Sequence, residues 1–168
     1  MHLKLIAMMS TIAACTMSGH ALTSAAERRK RLLSGLLNAL NALRISLGSL
    51  LLPLEEALRQ TNFPIFLAVA DALPGKESVV ESWICEKEIL HRRGGSADCL
   101  NDCDISALDM LFEHLGAGGR ENQIECIRSI ALQVEELLRE ARERASQVSK
   151  LYTSLGFLLG LSLVILTL

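Results

Sequence analysis

Thiols and imidazoles are the side chains of this sequence best suited to chemistry. Cys85, Cys99, Cys103 and Cys126 lie in the middle of the chain, together with His91 and His114. Thiolate and imidazole are the ligands that zinc prefers, and the C-x-x-x-C spacing of Cys99 and Cys103 suits a knuckle or one helical turn. A structural zinc site needs a second close pair of ligands; none follows, and Cys126 falls on a separate predicted helix. No metal is therefore expected, and a metal-dependent enzyme built on Cys99, Cys103 and a histidine stands as a rival reading. The stretch "DCLNDCD" carries Asp98, Asp102 and Asp104 but lacks the alternating oxygens, central glycine and terminal glutamate of a calcium loop. "GAGGR", Gly116 to Arg120, resembles a phosphate cradle, yet no Lys-Ser or Lys-Thr follows it and no strand precedes it. The four histidines lie far apart and none adjoins a serine or cysteine motif, so no nucleophile–base pair can be assembled. The reading is a non-enzymatic assembly component with no cofactor.

Composition narrows the partners. The net charge is −2 and aromatics make up 4% of the 168 residues, so neither a basic field nor stacking platforms for nucleic acid are expected. Half the residues are hydrophobic and mean hydropathy is +0.32 despite 21% charged residues, which requires apolar surface to be concentrated somewhere. It is concentrated at the two ends. The length suits one domain too large to need disulfide staples, so the cysteines read as thiols in a reducing compartment.

The middle shows helical periodicity and no alternating strand pattern, which makes the fold class all-α. Leu33, Leu36, Leu37, Leu40, Leu43, Leu47 and Leu50 form one stripe of a helix from about Glu27 to Leu51. Pro53 reads as the first helical residue of "PLEEALRQ". Asn62 and Pro64 open a third helix that turns Phe66, Leu67, Ala70 and Leu73 inward and stops at Pro74-Gly75. Ser78 caps a fourth, with Val79, Val80, Trp83 and Ile84 on one side, ending near Gly94-Gly95; Asp104 or Ser106 caps a fifth, burying Leu108, Leu111, Phe112 and Leu115. Gly116 to Gly119 is a turn. From about Arg120 one long helix follows, with Ile124, Ile127, Ile130, Val134, Leu137, Leu138, Ala141, Val148 and Leu151 on its apolar face and Glu135–Arg139 and Glu140–Arg144 as i,i+4 pairs. Neither glycine nor proline interrupts it before Gly156.

The ends read as membrane segments. Residues 151–168 carry no formal charge, and 18 residues of helix rise roughly 27 Å, close to the hydrocarbon thickness of a bilayer. Tyr152 sits where an interfacial aromatic belongs, and Gly156 and Gly160 form a G-x-x-x-G strip suited to close helix packing, including with another copy. Leu5 to Ala26 lacks formal charge as well. It reads as a retained membrane helix, as a cleaved signal peptide, or as a lipoprotein segment in which "IAAC" presents Cys15 for lipidation, the last making the chain an extracytoplasmic binding module. The cations Arg28, Arg29, Lys30 and Arg31 follow it, and Lys150 is the last charge before the C-terminal segment. Such cations resist translocation and place the intervening residues in the cytoplasm. The expected domains are a membrane anchor over 1–26, a helical bundle over 27–150 and a transmembrane helix over 151–168.

Three stretches carry a resemblance. "LGSLLLPLEEAL", Leu47 to Leu58, is similar to the Gly-x-x-Pro-Leu-x-x-Ala-Leu stretch of the stage III sporulation protein AB family. "LGAGGRENQIECI", Leu115 to Ile127, resembles its Leu-Gly followed by Asp-Arg-Glu-Asp-Gln, with Gly119 and Asn122 standing where that family has Asp. "KLYTSLGFLLGLSLVILTL" looks like its tail. The resemblance implies a membrane-anchored cytoplasmic helical domain on the mother-cell side of the sporulation channel complex. It further implies a secretion-type ATPase and other membrane components of that complex as partners. Arg120, Glu121 and Gln123 are the candidate partner contacts.

Overall fold

The computed structural model is helical: α1 (His2–Gly48), α2 (Leu54–Gln60), α3 (Pro64–Ala72), α4 (Val79–His91), α5 (Asp102–His114) and α6 (Arg120–Thr167), with no strand among the described residues. The structure describes the backbone of residues 2–167 apart from 75, 77, 93 and 116–118. It describes their side chains apart from 2–24, 149, 152–153, 155–161 and 163–167. The all-α class is therefore established. Among the described residues no helix is long and apolar enough to cross a membrane. The side chain of Cys15 and the surroundings of Gly156 and Gly160 lie outside the described residues, as do 116–118 of the glycine-rich turn.

Two compact units divide the chain: Arg31–Arg139, and Met1–Lys30 together with Glu140–Leu168. In the first, Leu33, Leu36, Leu40, Leu43 and Leu47 of α1 are all at most 2% exposed. Each such leucine contributes roughly 1.5–3 kcal/mol by leaving water. Leu37 is half-buried, and Leu50, expected on the same stripe, is 53% exposed. The helix has ended by then. The N–H groups of Ser49 and Leu50 both donate to the Ile45 carbonyl, and Leu51 turns into the left-handed region at φ 56°. Pro53 lies one residue earlier in the frame than expected: it is the N-cap of α2, and its carbonyl accepts the Ala57 N–H at 2.9 Å.

Short helices close over this base. Ser46 Oγ donates to Gln60 Oε1 at 2.8 Å, tying α1 to α2. Arg59 pairs with Glu55 at 3.3 Å and with Asp71, and donates to the Ala70 carbonyl at 3.2 Å, so one guanidinium joins α2 to α3. Phe63, the N-cap of α3, comes within 3.2 Å of where a Cβ on Gly35 would stand, so α1 passes close beneath it. Phe63 packs edge-on against Phe66, Phe66 edge-on against Phe112, and Phe112 stacks on Trp83 with ring centres 4.7 Å apart. The Trp83 indole donates to Asp109 at 2.7 Å, and Lys87 reaches the same carboxylate at 2.6 Å, which joins α4 to α5.

Helix ends follow local chemistry. Ser78 caps α4 through the Glu81 N–H, as its position predicts. Helix α5 starts earlier than expected. Asn101 is its N-cap, accepting from the Asp104 N–H at 3.0 Å, while the Asp104 carboxylate reaches back to the Asn101 N–H at 3.0 Å. Asp104 is thus the third helical residue of a capping box and not the cap. Ile84, expected inward, is 62% exposed, and Leu67, Leu73, Val80 and Leu137 are half-buried. In α6, Ile127, Ile130, Val134 and Leu138 are buried within the first unit. Arg139 bonds Glu136, three residues back, where an i,i+4 partner in Glu135 was expected.

In the second unit Ala141 and Ala145 are buried, Val148 is half-buried and Leu151 is 61% exposed. Of the basic run, Arg28 lies exposed in this unit, Lys30 pairs with Glu27 at 2.7 Å, and Arg29 is buried; Arg31, exposed, opens the first unit. Lys150 is exposed.

The α4–α5 connection tolerates little change. A Cβ on Gly95 would stand 2.2 Å from the Leu90 carbonyl oxygen, which is backbone, whereas Gly94 at φ 89° faces open space. Gly95→Ala is expected to cost about 3 kcal/mol in denaturant unfolding, and Gly94→Ala about 1 kcal/mol from backbone strain alone. Equal losses at the two positions would refute the clash.

Candidate functional site

The thiols do not converge. Cys85 and Cys103 are exposed, Cys99 and Cys126 half-buried, and all four lie outside any disulfide. Lys76 Nζ lies 3.4 Å from Cys85 Sγ as a donor. His91 Nδ1 donates to the Ala97 carbonyl at 3.2 Å, and His114 Nδ1 to that of Met110 at 2.9 Å, so each imidazole serves its own helix end. Among the described residues no group of three or more His, Cys, Asp or Glu side chains is placed to hold a metal ion. Burial pushes the Cys126 thiol above its ordinary range, because the thiolate would lose hydration there.

The sequence-selected residues that do converge are those at the start of α6. Arg120 is its first residue, with Glu121 beside it in the first turn, both exposed; Gln123 is half-buried, and its N–H donates to the Gly119 carbonyl at 3.2 Å. A cation on the first residue of a helix opposes the macrodipole, whereas Glu121 suits it. The Arg120 guanidinium relieves the conflict by leaving its own helix. Nη2 donates to the Leu51 carbonyl at 3.4 Å, across 69 residues of sequence. That carbonyl lies just beyond the C-terminus of α1, where helix carbonyls accumulate negative potential. One turn further along α6, Ile124 Cδ1 lies 3.4 Å from the position of a Cβ on Gly48.

The result is a corner made of the α1–α2 turn and the first turn of α6. Leu50 and Leu51 are 53% and 61% exposed in the α1–α2 turn, and Arg120, Glu121 and Asn122 are exposed in the first turn of α6. The corner offers exposed apolar side chains, one cation and one carboxylate. Leu50 was expected on the buried stripe because the three- and four-residue spacing continues through it. The signal that could have placed it beyond the helix is Pro53, since the residue before a proline avoids the helical region and the helix must stop upstream of it.

These same two segments, Leu47–Leu58 and Leu115–Ile127, hold two of the three stretches that carry the resemblance. The family model for stage III sporulation protein AB matches residues 4–168. A solved structure of stage III sporulation protein AB (SpoIIIAB) is similar at 23% identity and a TM-score of 0.58, covering 71% of this chain and 97% of that one; at this identity the likeness concerns the fold. No curated protein matches.

Thiol reactivity tests the placement of the cysteines. With a water-soluble maleimide at pH 7.5 on the full chain in detergent, Cys85 and Cys103 are expected to be modified first. Cys126 should lag by at least tenfold, because its thiol is partly buried and its thiolate disfavoured. Peptide mapping gives each rate, and a Cys126 as fast as Cys103 would contradict the burial.

Proposed function

Because the chain belongs to the stage III sporulation protein AB family, we propose that it acts as a non-enzymatic scaffold of the sporulation channel complex, docking a secretion-type ATPase to the membrane assembly. The observation that carries this reading is the spatial meeting of Leu47–Leu58 with Leu115–Ile127, marked by the Gly48–Ile124 approach and the Arg120–Leu51 bond. Leu50 and Leu51 supply the apolar centre of the docking corner. Arg120 and Glu121 supply its polar edge, and Gln123 steadies the turn beneath. A left-handed backbone at a non-glycine residue costs about 1–2 kcal/mol, and at Leu51 that cost accompanies an exposed leucine side chain.

In the same reading, residues 27–150 form the working domain, and 1–26 and 151–168 hold it to the cell membrane from the cytoplasmic, mother-cell side. The uncharged length of 151–168 supports a spanning helix. The cations Arg28, Arg31 and Lys150, all exposed, support the orientation, since they rest well against anionic headgroups and resist crossing. Gly156 and Gly160 provide the strip along which a neighbouring membrane helix packs.

Two measurements test the reading. The full chain should sediment with membranes and stay there in high salt and alkaline carbonate, being released only by detergent; release by salt would remove the spanning segments. In detergent extracts, Arg120→Glu should reduce co-purification of the ATPase at least fivefold with its Tm within a few degrees of the parent. Leu51→Gly, which relaxes the backbone while removing the side chain, should do the same. Undiminished association in both folded variants would exclude the corner as the docking surface.

A further inference from the structure

Helices α1 and α6 leave a groove of about 290 Å³ along the side of the Arg31–Arg139 unit. Leu40 and Ile127, both fully buried, lie in its floor, and Leu132 stands at its edge with 63% of its surface exposed. Arg44, Arg128 and Glu135 line the rim. The volume falls just below the usual range for small-molecule sites, roughly 300–1,000 Å³. Two helices side by side instead leave a lengthwise furrow into which the ridges of a third can fit.

Charge selects the occupant. The unit from Arg31 to Arg139 carries ten Lys and Arg against sixteen Asp and Glu, so most of its surface repels anions. The groove breaks that pattern with two guanidinium groups and one carboxylate. Arg44 is exposed, and Arg128 reaches Glu125 only at 3.9 Å between two well-exposed side chains, a pair of little energetic weight that leaves the cation available. We propose that this groove seats an acidic amphipathic helix of another protein: its aliphatic side chains meet Leu40, Ile127 and Leu132, and its carboxylates meet Arg44 and Arg128. Glu135 then favours a neutral or basic residue at that end of the ligand helix. A second copy of this chain is the competing occupant, since antiparallel α6 helices would set Arg128 against Glu135 of the other copy. It is disfavoured because two acid-rich units would be brought face to face, whereas a single helix brings only local charge. The groove shares no residue with the docking corner and concerns a separate contact.

A photocrosslinking amino acid at position 132 of the full chain, irradiated in membranes of cells that make the protein, tests this directly. The expected adduct is a peptide from a different protein, with leucine-type residues at helical spacing and an excess of Asp and Glu. Its yield should fall at least tenfold in Arg44→Glu/Arg128→Glu, and in the milder Arg44→Gln/Arg128→Gln should the first fail to fold. Adding Glu135→Arg to Arg128→Glu should not restore it. An adduct with this chain itself, rescued by that charge exchange, would overturn the proposal in favour of self-association. An adduct only with lipid, with a segment lacking acidic residues, or none above background would overturn it outright.

Discussion

The leucine seam of α1 is the constraint on which the bundle rests. Leu33, Leu36, Leu40, Leu43 and Leu47 recur at alternating intervals of three and four, the spacing that keeps one edge of a helix against a neighbour without drift. Ile127, Ile130, Val134 and Leu138 give α6 a matching buried edge. Once the two edges are buried, register follows: Gly48 meets Ile124, and Arg120 comes within reach of the Leu51 carbonyl. The intervening helices are too short to be stable alone. They hold by what they attach to, namely Phe63 against Gly35, Gln60 on Ser46, and the aromatic chain from Phe63 through Phe66 and Phe112 to Trp83.

Charge is distributed as unevenly as hydrophobicity. The overall −2 conceals an acid-rich unit from Arg31 to Arg139 and a remainder in which seven Lys and Arg outnumber three Asp and Glu. At an anionic surface this division would have a consequence. Basic terminal portions would be attracted to the headgroups, and an acid-rich unit repelled by them, over distances of about a Debye length. Neither effect needs a specific lipid contact. Against this acidic background, Arg44, Arg120 and Arg128 are local exceptions, which makes them more selective for carboxylates than the same residues would be on a basic surface.

Most of the helical architecture was legible because it rests on periodicity and punctuation. The start of α6 at Arg120, the Ser78 cap and the Pro64 start were written locally. What was not legible depended on side chains acting at a distance. The Asn101 cap is an exception, since Asn101-x-x-Asp104 is a local capping-box spacing that the later start of the apolar run at Ile105 obscured. Leu50 matches the seam by spacing, yet the backbone has already left the helix. Ile84 faces solvent because α3 and α5 flank the opposite side of α4, a choice made by tertiary packing. Leu132, Arg44 and Arg128 carry no motif that singles them out in the sequence. Only the placement of α1 against α6 shows that a furrow lies between them.

The corner at Arg120 shows how a local conflict becomes a global link. An arginine on the first residue of α6 is unfavourable for that helix by a few tenths of a kcal/mol to about 1 kcal/mol. A leucine in the left-handed region at Leu51 costs about 1–2 kcal/mol. Each residue is poorly chosen for its own segment, and each is answered by the other: the guanidinium neutralises the carbonyl end of α1, and the turned backbone at Leu51 offers its carbonyl outward to receive it. The bond is exposed and long, so it adds little stability. Its effect is positional, holding two leucine side chains in water next to a charged helix start. A partner that buries those leucines would also dehydrate the Arg120–Leu51 bond and strengthen it.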